Sequence, residues 1–149
     1  MPQPIADSSA VLELRLAWEE VRTYRNIVVG NLNSASMTGW GQSPEFRSAC
    51  FSLLLALAFS VLEAALQQMR EECLFRSRSP LGAMMANSRP ALTWLNYDAI
   101  DEAREDRNNA LHERKILPHA KARDHLAAIE NELVAWGIVT HRAPQLWHW

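Results

Sequence analysis

Apolar residues recur every third or fourth position through four long stretches of the chain, each bounded by residues that interrupt a helix. Val11, Leu14, Trp18, Val21, Arg25, Val28 and Leu32 form the first stripe, the pattern of a helix with one face turned to a core. Arg25 is its one charged intruder. Asp7-Ser8-Ser9 supplies N-cap oxygens ahead of the stripe, and Gly30-Asn31-Leu32-Asn33-Ser34 predicts an end at about Asn31. A turn-rich loop is expected through Thr38-Gly39-Trp40-Gly41-Gln42.

Ser43-Pro44-Glu45 opens the second helix with a capping hydroxyl, a proline at the first helical position and an early acid. The pattern carries it to about Phe75. Its middle, Ala49 to Leu62, is apolar nearly all round, so it is expected to be the central helix, with both Leu54 and Leu57 in the core. That run is shorter than the ~20 residues that cross a bilayer, and no membrane association is expected. Glu63 follows it as a lone carboxylate in need of a partner. A connector rich in Ser, Pro and Arg spans Ser77 to Asn96, with one short helical stretch, LGAMMAN, inside it.

Asn96 or Asp98 caps a further helix predicted to reach about Ile116. Pro118 opens the last one, with Ala122, Leu126, Ile129, Leu133 and Trp136 as its stripe, Gly137 as its C-cap and Ile138 as the following apolar contact. Strand-like alternation is absent. The expected fold is an all-α bundle of four to five helices, one domain over residues 1–149, with a core at about 10–136 and a tail at 137–149.

Charge narrows the picture only slightly. A formal net charge of -2 over 149 residues argues against a protein that coats nucleic acid wholesale. Thirteen of the fifteen cations are arginine, whose planar fork can grip a phosphate, although a GC-rich genome gives the same bias. Cys50 and Cys73 would lie roughly 34 Å apart on one helix, too far to pair. With no C-x-x-C and no basic, apolar leader in Met1 to Ala10, the expected setting is the cytoplasm.

Candidate chemistry concentrates in Arg104-Glu105-Asp106-Arg107-Asn108-Asn109-Ala110-Leu111-His112. At about 100° per residue, Arg107 falls amid Ile100, Ala103, Ala110 and Leu111, in the middle of the apolar stripe. Asn108 and His112 lie about 100° and 140° round from it, beside Arg104 and Lys115. An arginine on an apolar stripe needs an anion, a buried carboxylate such as Glu63, or a wet cleft. Arg114 to His119 and Arg142 to His148 share the bare Arg-to-His spacing. Pro118 breaks the first, and the second lies in the tail. Only Arg107 is followed by an amide and joined to its histidine by one helix.

Arg107, Asn108 and His112 resemble the R-x4-6-H motif of the HEPN (higher eukaryotes and prokaryotes nucleotide-binding) superfamily, whose members are small α-helical bundles. The apolar helix with its embedded acid, SVLEAAL, and the order of helices also suit that family. The resemblance implies metal-independent cleavage of single-stranded RNA by an adjacent 2′-hydroxyl. Arg107 would bind the scissile phosphate, His112 would exchange protons, Asn108 would orient one of them, and Arg104 and Lys115 would add phosphate-binding charge, with Glu63 in support. It implies no cofactor and no metal, and a cleft shared by two copies of the chain, since one helix turns Arg107 and His112 apart. The expected role is a toxin or anti-phage effector with an antitoxin or defence-system partner. The alternative is a catalytically silent HEPN-like module that binds a nucleotide or a protein. In the HEPN branch paired with nucleotidyltransferase antitoxins, a tyrosine stands two residues after the histidine. Here that position is Arg114, which argues against control by modification of a tyrosine.

Elsewhere, Trp18 and Trp136 are expected in the core and Met84-Met85 in packing. His119 and His125 are expected to face solvent. The tail Gln145-Leu146-Trp147-His148-Trp149 is expected to pack back on the bundle.

Overall fold

Asp7 begins the first helix as its sequence predicts, its carboxylate Oδ1 accepting from the backbone N–H of Ser9 at 2.9 Å and of Ala10 at 3.3 Å. In the computed structural model this helix, α1, spans Ser8–Met37. The structure describes residues 3–37, 44–113 and 115–140, and for 31–37 and 44–45 it describes the backbone alone. The expected loop around Trp40, Arg114 and the C-terminal tail from 141 onward lie outside the described residues.

Four more helices follow: α2 (Pro44–Glu71), α3 (Leu81–Ser88), α4 (Tyr97–His112) and α5 (His119–Ala135). The described residues are all-helical, with no strand. The central position of α2 is seen directly, since α1, α3, α4 and α5 all pack on it. Over Phe46–Glu71, α2 is by length and composition long and apolar enough to cross a membrane, and half of that stretch is buried inside the protein.

Three helix ends differ from their sequence expectation. Near Asn31, α1 does not stop but runs on to Met37. Gly30 there has open space around it and no positive φ, and a helical glycine costs only ~1 kcal/mol against alanine. The second helix ends at Glu71, short of Phe75, because Cys73 takes a left-handed backbone (φ 63°). Cys73 N–H then bonds Arg70 C=O, and Leu74 N–H bonds Met69 C=O, both at 3.0 Å. These two bonds make a Schellman closure with cysteine where glycine is usual. Lastly, α4 stops at His112 rather than about Ile116. Glu113 and Lys115 N–H both turn back onto Asn109 C=O there, and Leu117 folds inward at 6% exposure.

Other ends follow the sequence closely. Asn96 caps α4 by accepting from Ala99 N–H at 3.2 Å. Gly137, at φ +75°, closes α5 with Ile138 N–H on Leu133 C=O, and Ile138 is buried behind it. The core joins Trp18, Phe51, Phe59, Leu62, Leu66, Met84, Met85, Ile100, Leu126 and Trp136, all buried. Leu54 belongs to it at 2% exposure. Leu57 does not: at 41% exposed it lies on the outer face of α2. A helix apolar on every side gives periodicity no means of choosing which leucine faces in.

Polar side chains buried around α5 are paired. Glu130, 2% exposed, accepts from the Trp18 indole at 2.8 Å and from Arg22 Nε at 3.2 Å. Glu132, fully buried, accepts from the backbone N–H of Leu95 (2.6 Å) and Asn96 (3.1 Å), holding the chain at the entry to α4. Burial raises the Glu132 carboxyl above its ordinary range, against the pull of these bonds.

Candidate functional site

Ile100 and Ala103 on α4 are buried, and the next positions of the same stripe are Arg107 and Ala110. The core-facing side of the helix therefore changes from aliphatic to cationic halfway along. Arg107 is half-buried, and its guanidinium lies over the Phe59 ring of α2, 4.8 Å from the centroid. A cation over a ring face is attracted by the ring quadrupole, by ~0.5–2 kcal/mol depending on desolvation. One nitrogen, Nη2, donates to Asn108 Oδ1 at 3.0 Å. Another, Nε, is buried with no hydrogen-bond partner. Burial lowers the Arg107 pKa; the negative charge of Glu63 opposes that shift and Arg104 adds to it. No ion pair joins Arg107 to Glu63 among the described residues, so Glu63 acts as a nearby charge rather than as a clasp.

The remaining expected site residues are placed unevenly. Asn108 bonds Arg107, so its carbonyl oxygen orients the arginine rather than the histidine. His112 is exposed and is the last residue of α4, about one and a half turns and roughly 7 Å along the axis from Arg107. Arg104 has its fork closed on Asp101 Oδ1, with Nε at 3.0 Å and Nη2 at 2.9 Å. Its guanidinium also lies against Gly82 of α3, where an added Cβ would come within 3.3 Å. Lys115, beyond the helix, pairs with Glu113 at 2.8 Å, and both are exposed. The structure thus brings Arg107, Asn108 and Glu63 together, and leaves His112 and Lys115 outside that group.

Sequence reasoning missed the contact that fixes α4 against α5. His125 does not face solvent. It is 7% exposed, and its Nε2 lies 2.8 Å from Asp106 Oδ2. Lys121 reaches the same carboxylate oxygen at 3.4 Å and Glu102 at 3.3 Å. Asp106 precedes Arg107 directly, so this contact helps set the rotation of α4 that presents the arginine to Phe59. A signal was present: Ala122, His125, Ile129, Glu132 and Trp136 also step by threes and fours, a second stripe beside the aliphatic one. His119 is half-buried, its ring 5.9 Å from that of Phe51. Among the described residues no group of three His, Cys, Asp or Glu side chains is placed to hold a metal ion.

A groove of about 350 Å³ opens beside the end of α4, between Ser48, Ala49, Ser52 and Leu53 of α2 and Ala110, Leu111 and Ile116. Comparison with protein-family models, with curated proteins and with solved structures gives no match.

Proposed function

We propose that the chain is a HEPN-type endoribonuclease, a cytoplasmic toxin or defence effector that cleaves single-stranded RNA at a site shared by two copies of the chain. The observation that carries this reading is Arg107: a half-buried cation held over Phe59 and oriented by Asn108, its Nε unbonded, on the same helix as the exposed His112. Such an arginine suits a phosphate, which supplies the several acceptor oxygens its fork lacks.

In the proposed reaction the ribose 2′-hydroxyl attacks the adjacent phosphorus. The 2′-O–P bond forms as the P–O5′ bond breaks, leaving a cyclic phosphate and a 5′-hydroxyl. His112 takes the 2′ proton and a second proton carrier, the His112 of the other copy, protonates the departing oxygen. Arg107 neutralises charge on the non-bridging oxygens. His112 lies about 140° round the helix from Arg107, so the shared cleft lets the histidine of one copy serve the arginine of the other. An antitoxin or defence-system protein is the natural partner for such an activity.

A second reading, a silent module that binds a nucleotide or protein, is favoured by one observation. Arg104 and Lys115 are already paired with Asp101 and Glu113, which leaves less free charge for RNA. The deciding experiment is cleavage of a fluorescent single-stranded RNA in EDTA. Wild type should cut, His112→Ala should lose ~10²–10⁴ in rate while still folding, and Arg107→Ala should lose at least as much. Binding without cleavage by wild type would transfer the case to the silent module.

A further inference from the structure

We infer that the outer face of α2 is the surface on which a second copy of this chain docks. Ala49, Leu53, Leu57, Ser60 and Ala64 are all exposed and fall on one side of the helix, within about 80° of arc. No charged residue interrupts them over more than four turns. On a helix whose other sides meet four partners, an uncharged side facing water is the exception that asks for a cover.

The surface continues to either side. Across the 350 Å³ groove lie Leu111 and Ile116, 50% and 62% exposed. On the other side Leu57 shares a smaller cleft with Tyr24 of α1, and Ile27 follows one turn on. With Leu53 at 66%, these large side chains and the alanines between them present an area on the order of the ~800 Å² per partner that a standard-size interface takes.

Two properties point to a copy of the same chain as the occupant. A two-fold interface sets a patch against itself, so any net charge on it would meet like charge, and this stripe carries none. It also alternates protruding leucines with small residues one turn away, so the leucines of one copy can enter the hollows at Ala49, Ser60 and Ala64 of the other. The face borders the exposed end of α4, so docking there supplies the second histidine that the ribonuclease reading requires. To that extent the inference rests on that reading.

Sedimentation velocity of the full chain from about 1 to 100 µM tests the interface by mass, independently of RNA cleavage. Wild type should sediment with twice the mass of one chain. Leu53→Glu combined with Leu57→Glu should weaken self-association by roughly 100-fold or more while keeping the helical circular dichroism. Leu111→Glu, on a different helix of the same patch, should do likewise, while Leu12→Glu with Leu16→Glu on the outer face of α1 should leave the dimer intact. A wild type that stays monomeric at 100 µM overturns the inference, whether or not it binds vesicles or another protein. So does a dimer indifferent to Leu53, Leu57 and Leu111. A dimer that forms as described yet never cuts RNA would sustain the interface and refute the ribonuclease.

Discussion

The two sides of α2 end in opposite states. Toward α5, buried polar side chains are satisfied within the chain: Glu130 by Trp18 and Arg22, Glu132 by two backbone N–H groups, His125 by Asp106. Toward the outer face and the end of α4, groups are left open. Leu53 and Leu111 are in water, His112 is exposed, and Arg107 keeps a buried Nε without a partner. The first side answers to folding alone. The second carries features that folding would remove, since an apolar residue at 107 and polar ones at 53 and 57 would suit an isolated bundle better. That asymmetry puts the function of the chain on the open side.

The sharpest way to break the contrast is to place the same charge on each side of α2. Leu54→Asp introduces an unpaired carboxylate at a position 2% exposed, a penalty of several kcal/mol against a typical total stability of ~5–15 kcal/mol. It should abolish cooperative thermal unfolding. Leu57→Asp, three residues on, should leave a folded chain with unchanged helix content, because its side chain already meets water. Equal damage from the two would show that the outer face is covered within one chain.

Next in size is Glu130→Ala. It strands the Trp18 indole and the Arg22 guanidinium in the core, and breaking such a buried pair costs ~3–5 kcal/mol. Denaturant unfolding should register most of that. Glu63→Ala, on the open side and without an ion pair, should fall well below it.

Glu132→Gln comes third. The amide can accept one of the two backbone N–H groups but turns its own N–H toward the other, a loss of ~1–3 kcal/mol. The pH dependence carries a definite sign. Burial raises the folded-state pKa of Glu132, so the folded chain binds the proton more tightly than the unfolded chain. The resulting stabilisation is complete below the unfolded pKa and is lost as pH rises through the folded one. Wild type should therefore lose stability relative to Glu132→Gln as pH climbs from acid through and above the ordinary carboxylate range. A gap constant with pH would mean that Glu132 titrates no differently in the folded chain.

This contrast also explains what could be read from the residues in order. The closed side was largely legible: Trp18, Leu126, Ile129 and Trp136 lie on regular stripes, and Asp7, Asn96 and Gly137 mark helix ends by chemistry that is local. Helix ends set by tertiary demand were not. Cys73 adopts a glycine-like backbone that no residue type announces, and Gly30 stays helical where a stop is the commoner outcome. Neither Leu57 nor His125 could be placed, because each has neighbours of the same character a turn away and only packing chooses between them. For the open side, the sequence picked out Arg107, Asn108 and His112. Which of these share a contact depended on Phe59, far along the chain.

The smallest effect on stability should come from Arg107→Met. Methionine keeps the length of the side chain and its contact with Phe59, while removing a buried nitrogen that bonds nothing. The substitution gives up the cation over the ring and the bond to Asn108, worth together ~1–3 kcal/mol. It also lifts the desolvation that lowers the Arg107 pKa. Opposed terms of that size leave a net change within about 1 kcal/mol of zero, measurable by denaturant midpoint at constant slope. Loss of RNA cleavage at unchanged stability would identify Arg107 as a residue kept for its charge. A large destabilisation would instead make its place beside Phe59 and Glu63 structural, and would move the open side of the molecule away from α4 to the leucines of α2.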